Sequence, residues 1–193
     1  IKKAAGAGAR LILFPELSLS GYTTEPFVRR MGMTLNSGRC ATLVRATRTN
    51  NVFVAFGLPL RNRKQLYISQ ALVVPEGVVG HYEKIHLAGG DRGEGRVFSP
   101  GGRFQVFDVD GVSVGINICY DGRHPGSSLS VAHLGAEVVL HPHGNLVGEL
   151  GLNPLDWTED KRVYLGPRSV DTCTYTLICN SVGDMTDRSG VLR

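Results

Sequence analysis

Apolar residues along this chain come in short runs and strict alternations, separated by polar turns. Residues 11–14 (LILF) are an uninterrupted apolar run closed by Pro15, the pattern of a short buried strand. Residues 52–59 (VFVAFGLP) read the same way and stop at a Gly/Pro signal. Two further segments, QLYISQALVV (65–74) and VVGHYEKIHL (78–87), flank Pro75-Glu76-Gly77 and predict a hairpin. FQVFDVDGVSVGINIC (104–119) predicts a second hairpin that turns at Asp110-Gly111. EVVLHP (137–142) and YTLICNSVG (175–183) complete the strands. Helical spacing occurs at 2–9, 127–134 and 155–172, where Gly166-Pro167 should kink or break the helix. It also occurs at 37–50, with Ser37 as cap and Cys40, Leu43, Val44 and Thr47 on one face. Residues 88–103 read as a long Gly-rich loop. Strand–helix–strand units alternating with hairpins predict a mixed α/β protein whose helices cover sheets. No repeat or linker divides residues 1–193, which read as one domain.

Composition narrows the class. At 42% hydrophobic and 20% charged residues the chain can bury a sizeable core. Glycine, 25 of 193 residues, exceeds the typical ~7% and suits short connections between strands. The net charge of +4 is scattered, with no basic block and no interleaved aromatics, so no nucleic-acid partner is expected. The four cysteines form no CxxC pair and have no histidine at metal-ligand spacing. No metal site or disulfide framework is expected, and reduced thiols point to the cytoplasm. No apolar run reaches the ~18 residues of a membrane span, and no signal peptide is evident, so no membrane partner is expected. The chain starts at Ile1 inside a helix-like stretch and stops at DRSGVLR, which reads as an internal fragment.

Three stretches carry chemistry. In GINICYDGRHP (115–125) a buried strand runs into Cys119, and a helix follows within a few residues. Such a turn exposes unpaired backbone N–H groups that can hold an oxyanion, and a helix start favours a thiolate. A buried space-filling cysteine is the plainer reading, but Asp121, Arg123 and His124 follow at once. In LILFPELSLSGY (11–22) Glu16 sits between apolar neighbours, which disfavour its charged form and suit a proton acceptor; a solvated loop glutamate is the alternative. In HYEKIHL (81–87) Lys84 lies near a strand end, either a surface lysine or a fixed positive charge where negative charge develops.

Taken together and in this order, FPELSLSGY, YEKIHL and ICYDGRHP resemble the motifs of the carbon–nitrogen hydrolases, the nitrilase superfamily, over residues 4–186. EGRVFSPG supplies a fourth match at Glu94, and GAEVVLHPHGN and WTEDKRVYLGPRSVDTCTYTLICNSVGD resemble the family's later strands and long helix. The resemblance implies a four-layer αββα sandwich, incomplete at both ends here, and catalysis with no cofactor. It implies that Glu16 is the base, Cys119 the nucleophile and Lys84, with the Tyr120 N–H, the oxyanion stabiliser. Glu94 would orient the substrate amide or steady Lys84.

Nitrile-acting members of that family usually carry Trp-Glu after the cysteine, so the Tyr-Asp here makes the resemblance imply a small amide or N-carbamoyl substrate rather than a nitrile, and GRHP is somewhat similar to β-ureidopropionases. Tyr120, Arg123, His124, His143 and Asn145 are the candidate substrate contacts. Arg123 either pairs with a substrate carboxylate or forms an internal salt bridge. His124 and Gly126 depart from the family's usual Phe and Glu, which leaves the pocket shape open. The resemblance also implies a homodimer or larger assembly. Three other readings stay in play: a non-catalytic binding or assembly subunit, a cysteine–histidine hydrolase using His124 or His141, and a glutamine-hydrolysing domain feeding a synthetase.

Overall fold

The computed structural model describes residues 1–145 and 154–182. Two four-stranded sheets form the centre. The first has β1 (Leu11–Leu13), β2 (Phe53–Asn62), β3 (Gln65–Val74) and β4 (Gly77–Glu83) side by side in that order. β1 pairs parallel with β2, and the other neighbours are antiparallel. The second has β5 (Val106–Val109), β6 (Val112–Ile116), β7 (Val138–Pro142) and β8 (Tyr175–Cys179). β5–β6 is antiparallel, while β6–β7 and β7–β8 are parallel.

Alternation along the strands builds the layers. On β3, Leu66, Ile68 and Leu72 face inward and pack with Phe107, Val114, Ile116 and Leu140 of the second sheet. The opposite side of the first sheet presents Val54, Phe56, Leu58, Leu60, Ala71 and Val73 to α2 (Gly38–Asn50), whose Cys40, Leu43 and Val44 pack on them. Ser37 caps α2 by accepting from the Cys40 N–H, and Asn51 ends it in a left-handed conformation (φ 48°). On the outer side of the second sheet, Val131 of α3 (Pro125–His133) packs with Ala136 and Val139. α4 (Pro154–Thr172) packs against α3 and β8. The result is the expected order of helix, sheet, sheet, helix. A short α1 (Lys2–Gly6) packs beside α2.

Several boundaries differ from the sequence pattern. β2 continues through Pro59 to Asn62 and forms a hairpin with β3, turning at Arg63-Lys64, where Arg63 takes a φ of 53°. Pro59 interrupts the pattern but not the strand, because Pro59 and Ile68 remain register partners. β4 ends at Glu83, so Lys84 lies just beyond the strand. The Gly-rich stretch holds two short 3-10 turns, Gly90–Arg92 and Glu94–Arg96. α4 runs through Pro167 unbroken. The Asp110-Gly111 turn forms as the sequence predicts, with both residues at positive φ, as a tight two-residue hairpin turn requires. Among the described residues no helix is long and apolar enough to cross a membrane.

Candidate active site

The two sheets bring one end of β1, β4, β6 and β7 together; Glu16, Lys84 and Cys119 each lie just past a strand, and Glu94 opens the second short 3-10 turn. Glu16 follows β1. Its segment is held by the Phe14 N–H to Ala55 carbonyl bond at 2.8 Å and by its own N–H to the His143 carbonyl at 3.2 Å. Leu17, the next residue, has φ 51°. This loop crosses directly over Gly57, where a Cβ would collide with the Leu17 amide nitrogen and the Pro15 carbonyl. Lys84 follows β4, with its N–H on the Ile68 carbonyl and its carbonyl accepting from Gly101, both at 2.8 Å. Cys119 opens a 3-10 turn (Cys119–Arg123) three residues past β6 and has φ 45°. A left-handed backbone at a non-glycine residue costs about 1–3 kcal/mol and persists only where the surroundings enforce it.

Glu16 and Lys84 form a buried ionic centre with Glu94. Lys84 Nζ donates to Glu16 Oε1 at 2.7 Å and to Glu94 Oε1 at 2.8 Å, with all three side chains almost fully shielded from solvent. Glu94 also accepts from Tyr22 Oη–H at 2.8 Å and from the Ala88 N–H through Oε2 at 2.8 Å. Glu94 is thus anchored on three sides. Burial pushes the Glu16 carboxyl up to about 7 against the pull of Lys84. Burial works against the Lys84 charge, but Glu16, Cys119 and Glu94 outweigh it and hold the ammonium above the ordinary lysine range. Burial, followed by the Glu16 charge, pushes the Cys119 thiol up to about 12, opposed by Lys84. The resting arrangement is therefore a thiol, a carboxyl poised near neutrality and a fixed cation.

On the other side of Cys119, its Sγ lies 4.0 Å from Asn145 Oδ1, which is 3.0 Å from His143 Nδ1. The Asn145 backbone is clamped by Asn180, whose Oδ1 accepts from the Asn145 N–H at 2.9 Å and whose Nδ2 donates to the Asn145 carbonyl at 3.0 Å. His143 stacks on His141 with ring centroids 4.7 Å apart, and burial lowers His141 to about 4 and His143 well below its usual value. His141 packs under Gly122 in the turn that Cys119 opens.

The remaining predicted residues lie around the same turn. Tyr120 is partly exposed and meets His124 edge-on at 5.4 Å; His124 stacks on His86 at 3.9 Å. Arg123 Nη2 lies 3.2 Å from Asp160 Oδ2, and its guanidinium sits 4.1 Å over the Tyr164 ring. Arg123 thus makes an internal salt bridge here. Tyr22, His86 and Asn180 were not singled out by the sequence pattern. All three lie within motif stretches, Tyr22 in FPELSLSGY, His86 in YEKIHL and Asn180 in the stretch that ends ICNSVGD, but no pattern along the chain gives them a role of their own.

The carbon–nitrogen hydrolase family model matches residues 1–192. An (R)-stereoselective amidase from a Pseudomonas species is 38% identical over 136 residues, 70% of this chain and 48% of the relative. A nitrilase from Pyrococcus abyssi is 36% identical over 151 residues, 76% of this chain and 56% of that protein. The chain spans about half the length of these curated relatives. Among solved structures, an amidase from Nesterenkonia sp. AN1 superposes with a TM-score of 0.79 at 25% identity, covering 93% of this chain and 68% of that one. That amidase is a glutamate-to-glutamine mutant showing the result of Michael addition of acrylamide at its active-site cysteine.

Proposed function

The chain belongs to the carbon–nitrogen hydrolase family, and on that premise we propose that the protein hydrolyses a small amide through a thioester on Cys119. The observation that carries this reading is the buried Glu16–Lys84–Glu94 centre beside a cysteine held at positive φ. Glu16 takes the thiol proton as Sγ attacks the carbonyl carbon. Lys84 and the Tyr120 N–H stabilise the oxyanion that forms. The C–N bond then breaks, and Glu16 returns its proton to the departing nitrogen. Water attacks the thioester, Glu16 accepts a proton from it, and the acid leaves as Cys119 recovers its thiol. Glu94 steadies Lys84 and orients the substrate nitrogen. Tyr120, His124, His143 and Asn145 line the substrate's surroundings. No step draws on a cofactor. The substrate class is a linear amide or N-carbamoyl compound. Nitrile hydrolysis is the second reading, favoured by the identity to the Pyrococcus abyssi nitrilase.

The four free thiols suit work in a reducing cytoplasm. Exposed Val163, Val170, Tyr175 and Ile178 on α4 and β8 suit pairing with a second copy.

Intact-mass spectrometry after acid quench, across a panel of amides, N-carbamoyl compounds and nitriles, tests the reading. An acyl adduct mapped to Cys119 and absent from Cys119→Ala supports it, and the adduct mass identifies the acyl group. No adduct or product with any compound, together with a Cys119 that resists alkylation, would sink it.

A further inference from the structure

Asp121 lies two residues past Cys119 and is fully buried, yet in the proposed mechanism it has no part. Its carboxylate gathers four contacts. Tyr82 Oη–H and the Ile118 N–H both donate to Oδ2 at 2.9 Å. The His86 N–H donates to Oδ1 at 2.9 Å, and His86 Nδ1 lies 2.9 Å from the same oxygen. Tyr82 and His86 stand two residues before and two after Lys84, and Ile118 immediately precedes Cys119. One side chain therefore joins both flanks of the lysine to the entry of the nucleophile turn.

We infer that Asp121 is a positioning residue that holds the left-handed Cys119 turn against the end of β4, and so fixes how the Lys84 ammonium meets the nucleophilic sulfur. The inference rests on the reading of Cys119 as nucleophile. The reach back from Asp121 to the Ile118 N–H is the usual local cap of a helical turn and would need only one oxygen. The other oxygen and Tyr82 extend the contact to a different sheet, which a local cap does not require. Apart from Asp121, the His86 ring meets residues at the start of the following helix rather than Cys119. It stacks on His124 at 3.9 Å, and its Nδ1 also lies 3.2 Å from Ser127 Oγ. The His86–Asp121 pair braces the turn. Burial and the Asp121 charge hold the Tyr82 phenol well above its ordinary range, so its proton stays available to donate.

The test is the pH dependence of Cys119 alkylation by iodoacetamide, followed by intact mass, in the wild type, Asp121→Asn and Tyr82→Phe, with thermal denaturation in parallel. Asparagine keeps the shape but offers a single accepting oxygen for four donors. If the lysine is no longer held at the sulfur, Asp121→Asn alkylates about tenfold more slowly from neutral to mildly alkaline pH, because its thiolate fraction falls. Tyr82→Phe slows alkylation in the same direction by less. With an amide that turns over, both variants lower kcat and leave KM nearly unchanged. A thermal midpoint that falls while both alkylation profiles stay at wild type would overturn the inference and leave Asp121 a brace of the fold alone. Should Asp121→Asn not fold, Tyr82→Phe, which keeps the carboxylate and its other three contacts, decides by the same criterion. Failure of every amide to acylate the wild type would count against the proposed function and leave the alkylation readout standing.

Discussion

At the scale of single residues, the site depends on one buried cation shared by two carboxylates. Burying a charge is costly unless it is paired, and removing one partner of a buried pair typically costs about 3–5 kcal/mol. Lys84→Met should therefore lose about that much stability, since Glu16 and Glu94 would face each other without a counter-charge. The carboxyls can escape by taking up protons, so the variant should be more stable at low pH than at high pH. Urea denaturation at pH 5 and pH 8 reads both effects. The position of Glu16 near 7 sets a second expectation. Below that value the carboxyl already holds a proton and cannot take one from Cys119; above it, it can. The rate of acylation should therefore rise with pH through about 7 and level off, and stopped-flow or quenched acylation against pH measures it. Glu16→Gln should abolish that rise and slow acylation by roughly 10²–10⁴-fold.

At the scale of elements, the site is a meeting of strand ends. β1 delivers Glu16, β4 delivers Lys84, the segment after β6 delivers Cys119, and the segment after β7 delivers Asn145. The Glu16 and Cys119 segments turn sharply, through positive φ at Leu17 and Cys119, and the Glu16 turn is held by close backbone contact. The Glu16 loop rests on Gly57 in β2 where a side chain would stand. Gly57→Ala must push that loop outward. It should cost about 1–3 kcal/mol, as overpacking does, and lower activity further by displacing Glu16. Chemical denaturation beside a single-turnover assay separates the two losses; an alanine variant with wild-type stability and rate would contradict this account of the loop.

At the scale of the whole molecule, the layer between the sheets is both the core and the floor of the site. Leu17, Tyr82, Ile118 and Cys119 belong to the same buried cluster as Ile68, Ile116 and Leu140. Leu140 is fully buried and directly precedes His141. Leu140→Ala should lose about 2–5 kcal/mol, measured by urea unfolding. Because the neighbours of Cys119 share that core, Cys119 should alkylate faster in this variant through local opening even where the chain remains folded. The exposed apolar residues of α4 and β8 set a further expectation at this scale. Sedimentation should find the protein associated, and Val170→Lys, at a position 77% exposed, should weaken that association without destabilising the fold.

Much of this was legible along the chain. Alternation marked the strands, Asp110-Gly111 marked its turn, and Ser37 with its apolar face marked α2, because these follow from local backbone and side-chain periodicity. Glu16, Lys84 and Cys119 were legible as types of chemistry, and the resemblance to the carbon–nitrogen hydrolases ordered them and added Glu94. Their distances were not. Glu16 and Lys84 are 68 residues apart in the chain and 2.7 Å apart in space. That approach is set by the register of β1 to β4 and by the stacking of two sheets, which are long-range pairings that no local pattern encodes. The same holds for Tyr22 on Glu94, Asn180 on Asn145 and Asp121 on Tyr82 and His86. What the sequence determined by itself is which groups are available and what each element is. Only the tertiary structure decided that Glu16, Lys84, Glu94 and Cys119 share one buried centre, where burial raises the Glu16 carboxyl and the thiol together and one lysine supplies the charge between them.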